Sequence, residues 1–278
     1  MFRLFLLAFA ALSCSADFVP DWNHPFPPHK VAGNLYYVGT NYLSSYLVAT
    51  PQGLVLINSS FEESVPVIRA NVEKLGFKWT DVKILLISHA HDDHDAGSAL
   101  IKKETGAKYM VMEGDVPVVE SGGAADFHYK SRYAPTKVDR VLHDGDTVAL
   151  GGSVLTAHLT AGHTKGCTTW TMKVSDGGKT YDVVIVGSPN VNDGYKLVNN
   201  AKYPKMAEDF AHTFRVLKAL PCDIFLGAHG AYYGMEEKAK KLKPGAANPF
   251  VDPEGYRTYV ADRQRAYEAN LKKQRAGK

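Results

Sequence analysis

Ser88-His89-Ala90-His91-Asp92-Asp93-His94-Asp95-Ala96-Gly97 follows directly on the apolar run Lys83-Ile84-Leu85-Leu86-Ile87. A short run rich in Ile and Leu reads as a buried strand, so the polar stretch emerges where that strand ends and a helix begins. Between His89 and Asp95 it gathers three histidines and three carboxylates in seven positions. That is more ionisable groups than a buried site tolerates unless something binds them, and a metal ion is the obvious binder. Strand side chains alternate with period two, which puts His89 and His91 on one side. Asp93 and His94 sit where the chain turns and face a second point nearby. Imidazole and carboxylate are the usual partners of zinc at roughly 2.0–2.2 Å, and three protein ligands with one water mark a catalytic site. Two half-sites side by side are expected.

The same device, strand then turn then histidine, recurs twice. Thr160-Ala161-Gly162-His163-Thr164-Lys165-Gly166 follows the extended segment Ser153 to Leu159, and Gly227-Ala228-His229-Gly230 follows Asp223 to Leu226. Flanking glycines let the backbone approach whatever His163 points at. Each of these histidines alone reads as a satisfied buried residue. Taken with His89, His91, Asp93 and His94, His163 and His229 complete six ligands, enough for two zinc ions with three each.

Around these segments, strands and helices alternate. Extended segments are expected at Asn34 to Val38, Ser44 to Ala49 and Gly53 to Ile57, with Pro51-Gln52-Gly53 as a turn. Ser60-Phe61-Glu62-Glu63 has capping-box character and opens an amphipathic helix to about Leu75. A second helix is expected from Asp95 to Lys103, stopped by Gly106. Further strands are expected at Lys108 to Met112, Thr147 to Leu150, Thr168 to Lys173 and Tyr181 to Val186. Met206, Phe210, Phe214 and Leu217 form a core stripe on a helix from Tyr203 to Leu220, and Asp252-Pro253-Glu254 starts a terminal helix. This pattern argues for an α/β layered fold. Asp17 to Gly33, rich in proline and aromatics, suits an irregular arm on the surface. The loop Gly39 to Ser44, which holds Tyr42, is a candidate cleft rim, and the long polar and aromatic loop Gly122 to Pro135, with Phe127, His128, Tyr129 and Tyr133, reads as functional from its length.

At 278 residues without a Gly/Ser or Pro linker, one domain over 17–278 is expected. Hydrophobic residues at 45% and charged residues at 22% are ordinary for a soluble globular chain and exclude disorder. A net charge of +3, spread without blocks, indicates neither nucleic acid nor an anionic membrane as partner. Residues Met1 to Ala16 read as a secretory signal with basic Arg3, an apolar core from Leu4 to Leu12 and small residues before the cleavage point. The mature protein is expected to be exported. Ala11-Leu12-Ser13-Cys14 also loosely resembles a lipoprotein processing site, so anchoring through Cys14 is the alternative. Losing Cys14 by cleavage leaves Cys167 and Cys222, which an oxidising compartment allows to pair.

The motif His89-x-His91-x-Asp93-His94 resembles the metallo-β-lactamase superfamily, and His163 and His229 fall in that family's order along nearly the whole mature chain. The resemblance implies a four-layer αβ/βα sandwich with the metal site at one edge. Val184-Ile185-Val186-Gly187-Ser188-Pro189 narrows it, because thioesterase, lactonase and glyoxalase branches carry a metal-bridging aspartate there and the first β-lactamase subclass a cysteine. This chain has neither. The second subclass has Asn where this chain has His89. The sequence is therefore most similar to the third subclass, which implies one zinc on His89, His91 and His163 and another on Asp93, His94 and His229.

That resemblance implies a periplasmic, monomeric zinc β-lactamase that opens the lactam amide with a metal-bound hydroxide, Asp93 also orienting the nucleophile. Asn192, Tyr42, Phe127, His128 and Tyr133 are the expected substrate contacts, with Lys196 a weaker one. Two departures stand out. Asn58 replaces a usual aspartate, so a charge supporting the ligands is missing. The disulfide partners that relatives offer to Cys167 and Cys222 are absent, which implies free thiols. The competing readings are a hydrolase of lactones or thioesters on the same scaffold, and a zinc-binding protein without turnover. The motifs of serine β-lactamases and of the nucleophile elbow do not occur.

Overall fold

The computed structural model describes residues 21–277; the expected signal sequence and Cys14 lie outside the described residues. Among these, strands β1 (His29–Ala32), β2 (Leu35–Tyr37), β3 (Tyr46–Thr50), β4 (Gly53–Ile57), β5 (Val82–Leu86), β6 (Lys108–Met112) and β7 (Arg140–Leu142) form one sheet in that order. Strands β8 (Thr147–Leu150), β9 (Ser153–Leu159), β10 (Thr168–Asp176), β11 (Lys179–Val186) and β12 (Ile224–Gly227) form a second, with order β12-β11-β10-β9-β8. The helices are α1 (Val65–Lys74), α2 (Asp92–Asp95), α3 (Ser98–Thr105), α4 (Val116–Glu120), α5 (Met206–Ala219), α6 (Met235–Lys240) and α7 (Pro253–Ala276).

Alternation along the central strands explains the layering. Tyr46, Val48, Val55, Ile57, Ile84 and Leu86 project into a core shared with Leu155, Trp170, Met172 and Val184 of the second sheet and with Phe210, Phe214 and Tyr267 of α5 and α7. Leu47, Leu54, Leu56 and Leu85 point the opposite way, against Ile68 and Val72 of α1 and Ile101 of α3. Both faces of the first sheet are thus buried, which is why β4 and β5 read as unbroken apolar runs. The result is helix, sheet, sheet, helix, the expected αβ/βα sandwich. Among the described residues no helix is long and apolar enough to cross a membrane.

Three local expectations are corrected. The first helix starts at Val65 rather than Ser60, because Ser60 has a left-handed backbone (φ 57°) and its hydroxyl meets Ser45 Oγ at 3.2 Å instead of capping. The second helix breaks at Ala96-Gly97 into α2 and α3. Gly97 N–H donates to Ser60 O at 2.9 Å, and a Cβ there would lie 2.7 Å from Ser59 O, so the helix yields to the loop that packs on it. The arm contains β1, whose bulged pairing with β2 its proline-rich surroundings conceal. At the terminal helix the sequence signal holds: Asp252 Oδ1 accepts Gly255 N–H at 2.8 Å, with Pro253 in the first turn.

Candidate metal centre

The histidine-bearing turns leave the sheets at one edge, and three contacts brace them. Asn58, left-handed at φ 67°, accepts Ser88 N–H on Oδ1 at 2.7 Å and donates from Nδ2 to Ser44 O at 3.0 Å. An aspartate could make the first bond but would oppose the Ser44 carbonyl with its second oxygen. The neutral amide therefore anchors the chain just before His89, which answers the expectation of a missing charge. Asp115, fully buried, accepts Ala90 N–H at 2.9 Å, the Thr164 hydroxyl at 2.8 Å and Gly166 N–H at 2.7 Å, tying the His89–His91 segment to the His163 turn. Gly162 has φ 128°, and a Cβ on it would lie 2.6 Å from the Phe210 ring, so the turn seats flush on α5 only as glycine.

All six expected donors converge. One donor atom from each of His89, His91 and His163 lies within 4.8 Å of the others. His89 turns Nδ1 toward Ser88 Oγ at 3.3 Å and His163 turns Nδ1 toward Asn190 O at 2.8 Å, which leaves Nε2 of each for the centre. His91 Nε2 faces Asp126 Oδ2 at 3.8 Å. At the second point, Asp93 Oδ2 is 3.2 Å from His94 Nε2 and 3.5 Å from His229 Nε2, and those two nitrogens are 3.1 Å apart. Donors at roughly 2.0–2.2 Å from a tetrahedral ion stand about 3.3–3.6 Å from one another, so this triangle has nearly the size an ion would set. His89 also lies close to Asp93 and His94, between the two groups.

The electrostatics suit a cation. Burial, reinforced by the neighbouring imidazoles, drives His89 and His91 well below the usual histidine value. Burial likewise lowers His163 to about 4 and His229 to about 3. Burial alone would raise the Asp93 carboxyl, but His94, His229 and His91 beside it outweigh that and hold it low. At neutral pH His89, His91, His163 and His229 are neutral imidazoles and Asp93 is an ionised carboxylate, the forms that ligate metal. The residues fit zinc in both spacing and chemistry.

A family model described as the metallo-beta-lactamase superfamily matches residues 38–176. The FEZ-1 metallo-β-lactamase of Legionella gormanii is 56% identical, with a TM-score of 0.90 over 91% of this chain and 98% of that one. The chain belongs to the metallo-β-lactamase superfamily. Two further metallo-β-lactamase structures agree. BJP-1, a subclass B3 enzyme of Bradyrhizobium japonicum, is 40% identical over 92% of this chain and 97% of its own, with a TM-score of 0.87. The class B3 di-zinc enzyme LRA-12, from an Alaskan soil metagenome, is 37% identical over 91% and 97%, with a TM-score of 0.85. A protein described as a probable metallo-hydrolase, from Burkholderia pseudomallei (strain 1710b), is 33% identical over 107 residues, 36% of this chain and about a third (34%) of that protein's length.

The metallo-β-lactamase cleft above the donors has a volume of about 520 Å³. Tyr42 lines it as expected, stacked on Trp22 with ring centroids 5.2 Å apart, and Asn192 lines the opposite side, donating to Tyr129 Oη at 2.8 Å. Phe127, His128 and Tyr133 do not line it. Asp126 Oδ1 accepts both His128 N–H and Tyr129 N–H, and this turn aims Tyr129 at the cleft instead. Phe127 packs on Tyr195 and Tyr203, His128 on Tyr129 and Tyr195, and the Tyr133 hydroxyl donates to Ala90 O at 3.4 Å beneath the metal loop. Lys196 is exposed and away from the cleft lining.

Trp22, Phe61, Asn190 and Tyr232 also line the cleft and are not expected there from the sequence, while Tyr129 is named on its loop but not among the expected substrate contacts. Trp22 carried one usable signal, an exposed aromatic in an arm that had to pack somewhere. Cys167 and Cys222 are both free; Cys167 lies buried behind the site, where burial pushes its thiol up to about 12.

Proposed function

We propose that this metallo-β-lactamase is a zinc-dependent β-lactamase of the B3 type, hydrolysing the lactam amide of β-lactam antibiotics. The observation that carries the reading is 56% identity across 98% of a metallo-β-lactamase's length. We assign one zinc ion to His89, His91 and His163 and a second to Asp93, His94 and His229. When bound, zinc supplies a water acidic enough to attack at neutral pH and polarisation of the lactam carbonyl.

The remaining work falls to the chain. Asp93, kept ionised by the surrounding imidazoles, accepts a hydrogen of the attacking water and so orients it. The Asn190 carbonyl fixes the tautomer and plane of His163. Trp22 and Tyr42 on one side and Tyr129 with Asn192 on the other hold the bicyclic substrate over the donors and narrow its contact with bulk water. Ser188, where other branches place a ligand, is buried with its hydroxyl 3.2 Å from Tyr232 Oη, so it stays out of the metal's reach.

The test is hydrolysis of nitrocefin and a carbapenem, set against a lactone and a thioester, with and without chelator. Activity on the lactams that is lost in chelator and regained with zinc supports the reading. Opening of the lactone with every β-lactam left intact would sink it. We also propose export to the periplasm, on the strength of the Met1 to Ala16 pattern. Fractionation and the mass of the mature N-terminus test that.

A further inference from the structure

A second cavity of about 590 Å³ adjoins the metal cleft and shares Tyr129, Asn190 and Asn192 with it as common walls. Its far wall is helix α7, which contributes Arg263. The guanidinium is fixed but little used. Its Cζ sits 5.9 Å from the centre of the Tyr259 ring one turn earlier, its only hydrogen bond among the described residues is a 3.4 Å contact from Nη1 to Asn190 Oδ1, and its buried Nε has no partner. Among the described residues no carboxylate pairs with it. Asp262, its neighbour on the helix, is engaged by Arg265, and Asp193 on the cavity rim is exposed.

An arginine whose buried Nε–H has no partner, lining a cavity that adjoins the substrate cleft, has the charge and the donor geometry to receive an anion. The neighbouring side-chain amides are neutral and partly engaged, Asn190 Nδ2 donating to Tyr232 Oη and Ser188 Oγ and Asn192 Nδ2 giving one of its two N–H groups to Tyr129 Oη. Among the residues lining this cavity the guanidinium is the one cation, buried toward its Nε, while Asp193, the one carboxylate, is exposed.

We propose that the Arg263 cavity is a substrate subsite that receives an acidic substituent, a carboxylate or sulfonate, carried on the β-lactam side chain away from the scissile amide. This rests on the β-lactamase reading, and it makes Arg263 a specificity determinant and not part of the bond-breaking machinery.

Benzylpenicillin and carbenicillin differ by one side-chain carboxylate and so provide the probe. In the zinc-loaded enzyme, Arg263→Gln is expected to raise KM for carbenicillin about tenfold, the weight of one charge-assisted hydrogen bond. The kcat, and both constants for benzylpenicillin, should stay within about twofold. Arg263→Lys should recover most of the carbenicillin KM. Equal losses on both penicillins would overturn the subsite, showing that Arg263 acts on structure or on the carboxylate common to both. An unchanged carbenicillin KM in Arg263→Gln would overturn it as well. If the unaltered enzyme opened neither penicillin, the functional reading itself would fail and the subsite with it, an outcome distinct from the other two.

Discussion

Asp115 holds the Thr164 hydroxyl at 2.8 Å with the same carboxylate oxygen that takes Ala90 N–H at 2.9 Å, so one buried side chain sets the separation of two ligand-bearing segments. Asp115→Ala strands three buried donors, Ala90 N–H, the Thr164 hydroxyl and Gly166 N–H. The expected outcome is zinc affinity lower by about 10- to 100-fold, read by competition with a chromophoric chelator. A folding cost of about 2–5 kcal/mol should accompany it, read by denaturant titration. An unchanged affinity would mean that the His163 turn is set by its packing on Phe210 alone.

Metal stoichiometry tests the division of the donors. The protein, dialysed against trace zinc and analysed by elemental mass spectrometry, is expected to hold two zinc ions per chain. His163→Ala and His229→Ala should each retain about one, because each removes a ligand from a different triad. A chain that keeps a single zinc, lost in His163→Ala and untouched by His229→Ala, would reduce the centre to one ion.

Trp22 is 42% exposed yet stacks on Tyr42 and meets the His229 ring edge-on with centroids 6.2 Å apart. Its place is fixed by bonds that do not involve the indole: Trp22 O accepts the Thr40 hydroxyl at 2.6 Å, and the next residue's side chain, Asn23 Oδ1, accepts the Ser64 hydroxyl at 2.6 Å. Trp22→Ala is therefore expected to leave the melting temperature within about 2 °C while raising KM for nitrocefin several-fold at nearly constant kcat. A fall in kcat with unchanged KM would contradict a binding role.

The strand ends that deliver the six donors could be read in the sequence because each is an apolar run closed by a turn, and the apolar runs themselves come from sheets buried on both faces. Contacts between distant segments could not be read. Ser60 has the spacing of a helix cap, but its backbone is turned left-handed where Gly97 N–H reaches its carbonyl, a contact between loops 37 positions apart. The loop at Phe127 shows the same limit: composition marks it as functional, while the choice of Tyr129 over Phe127 and His128 is made by Asp126 accepting two backbone N–H groups. Asn58 looked like a lost charge because only its partner, the Ser44 carbonyl, shows why an amide belongs there.

A last prediction concerns pH and a histidine outside the metal centre. His29 is stacked between Tyr37 and Phe250 with centroids 5.2 Å and 5.6 Å away, its Nδ1 donating to Pro27 O at 3.1 Å and its buried Nε2 unpartnered. Burial lowers its pKa below 6.5, only partly offset by the Pro27 bond. As pH falls through 6.5 the unfolded chain takes up this proton before the folded one does, so the unfolded state binds more protons and stability declines. His29→Phe keeps the stack and removes the titration. At about pH 7.5 the variant should melt within about 3 °C of the parent, since it forfeits one partly exposed hydrogen bond. On acidification to about pH 5 the parent should lose more, and the variant's melting temperature should rise relative to it. A difference between the two that stays constant across this range would show that His29 is protonated as readily in the folded protein as in the unfolded chain.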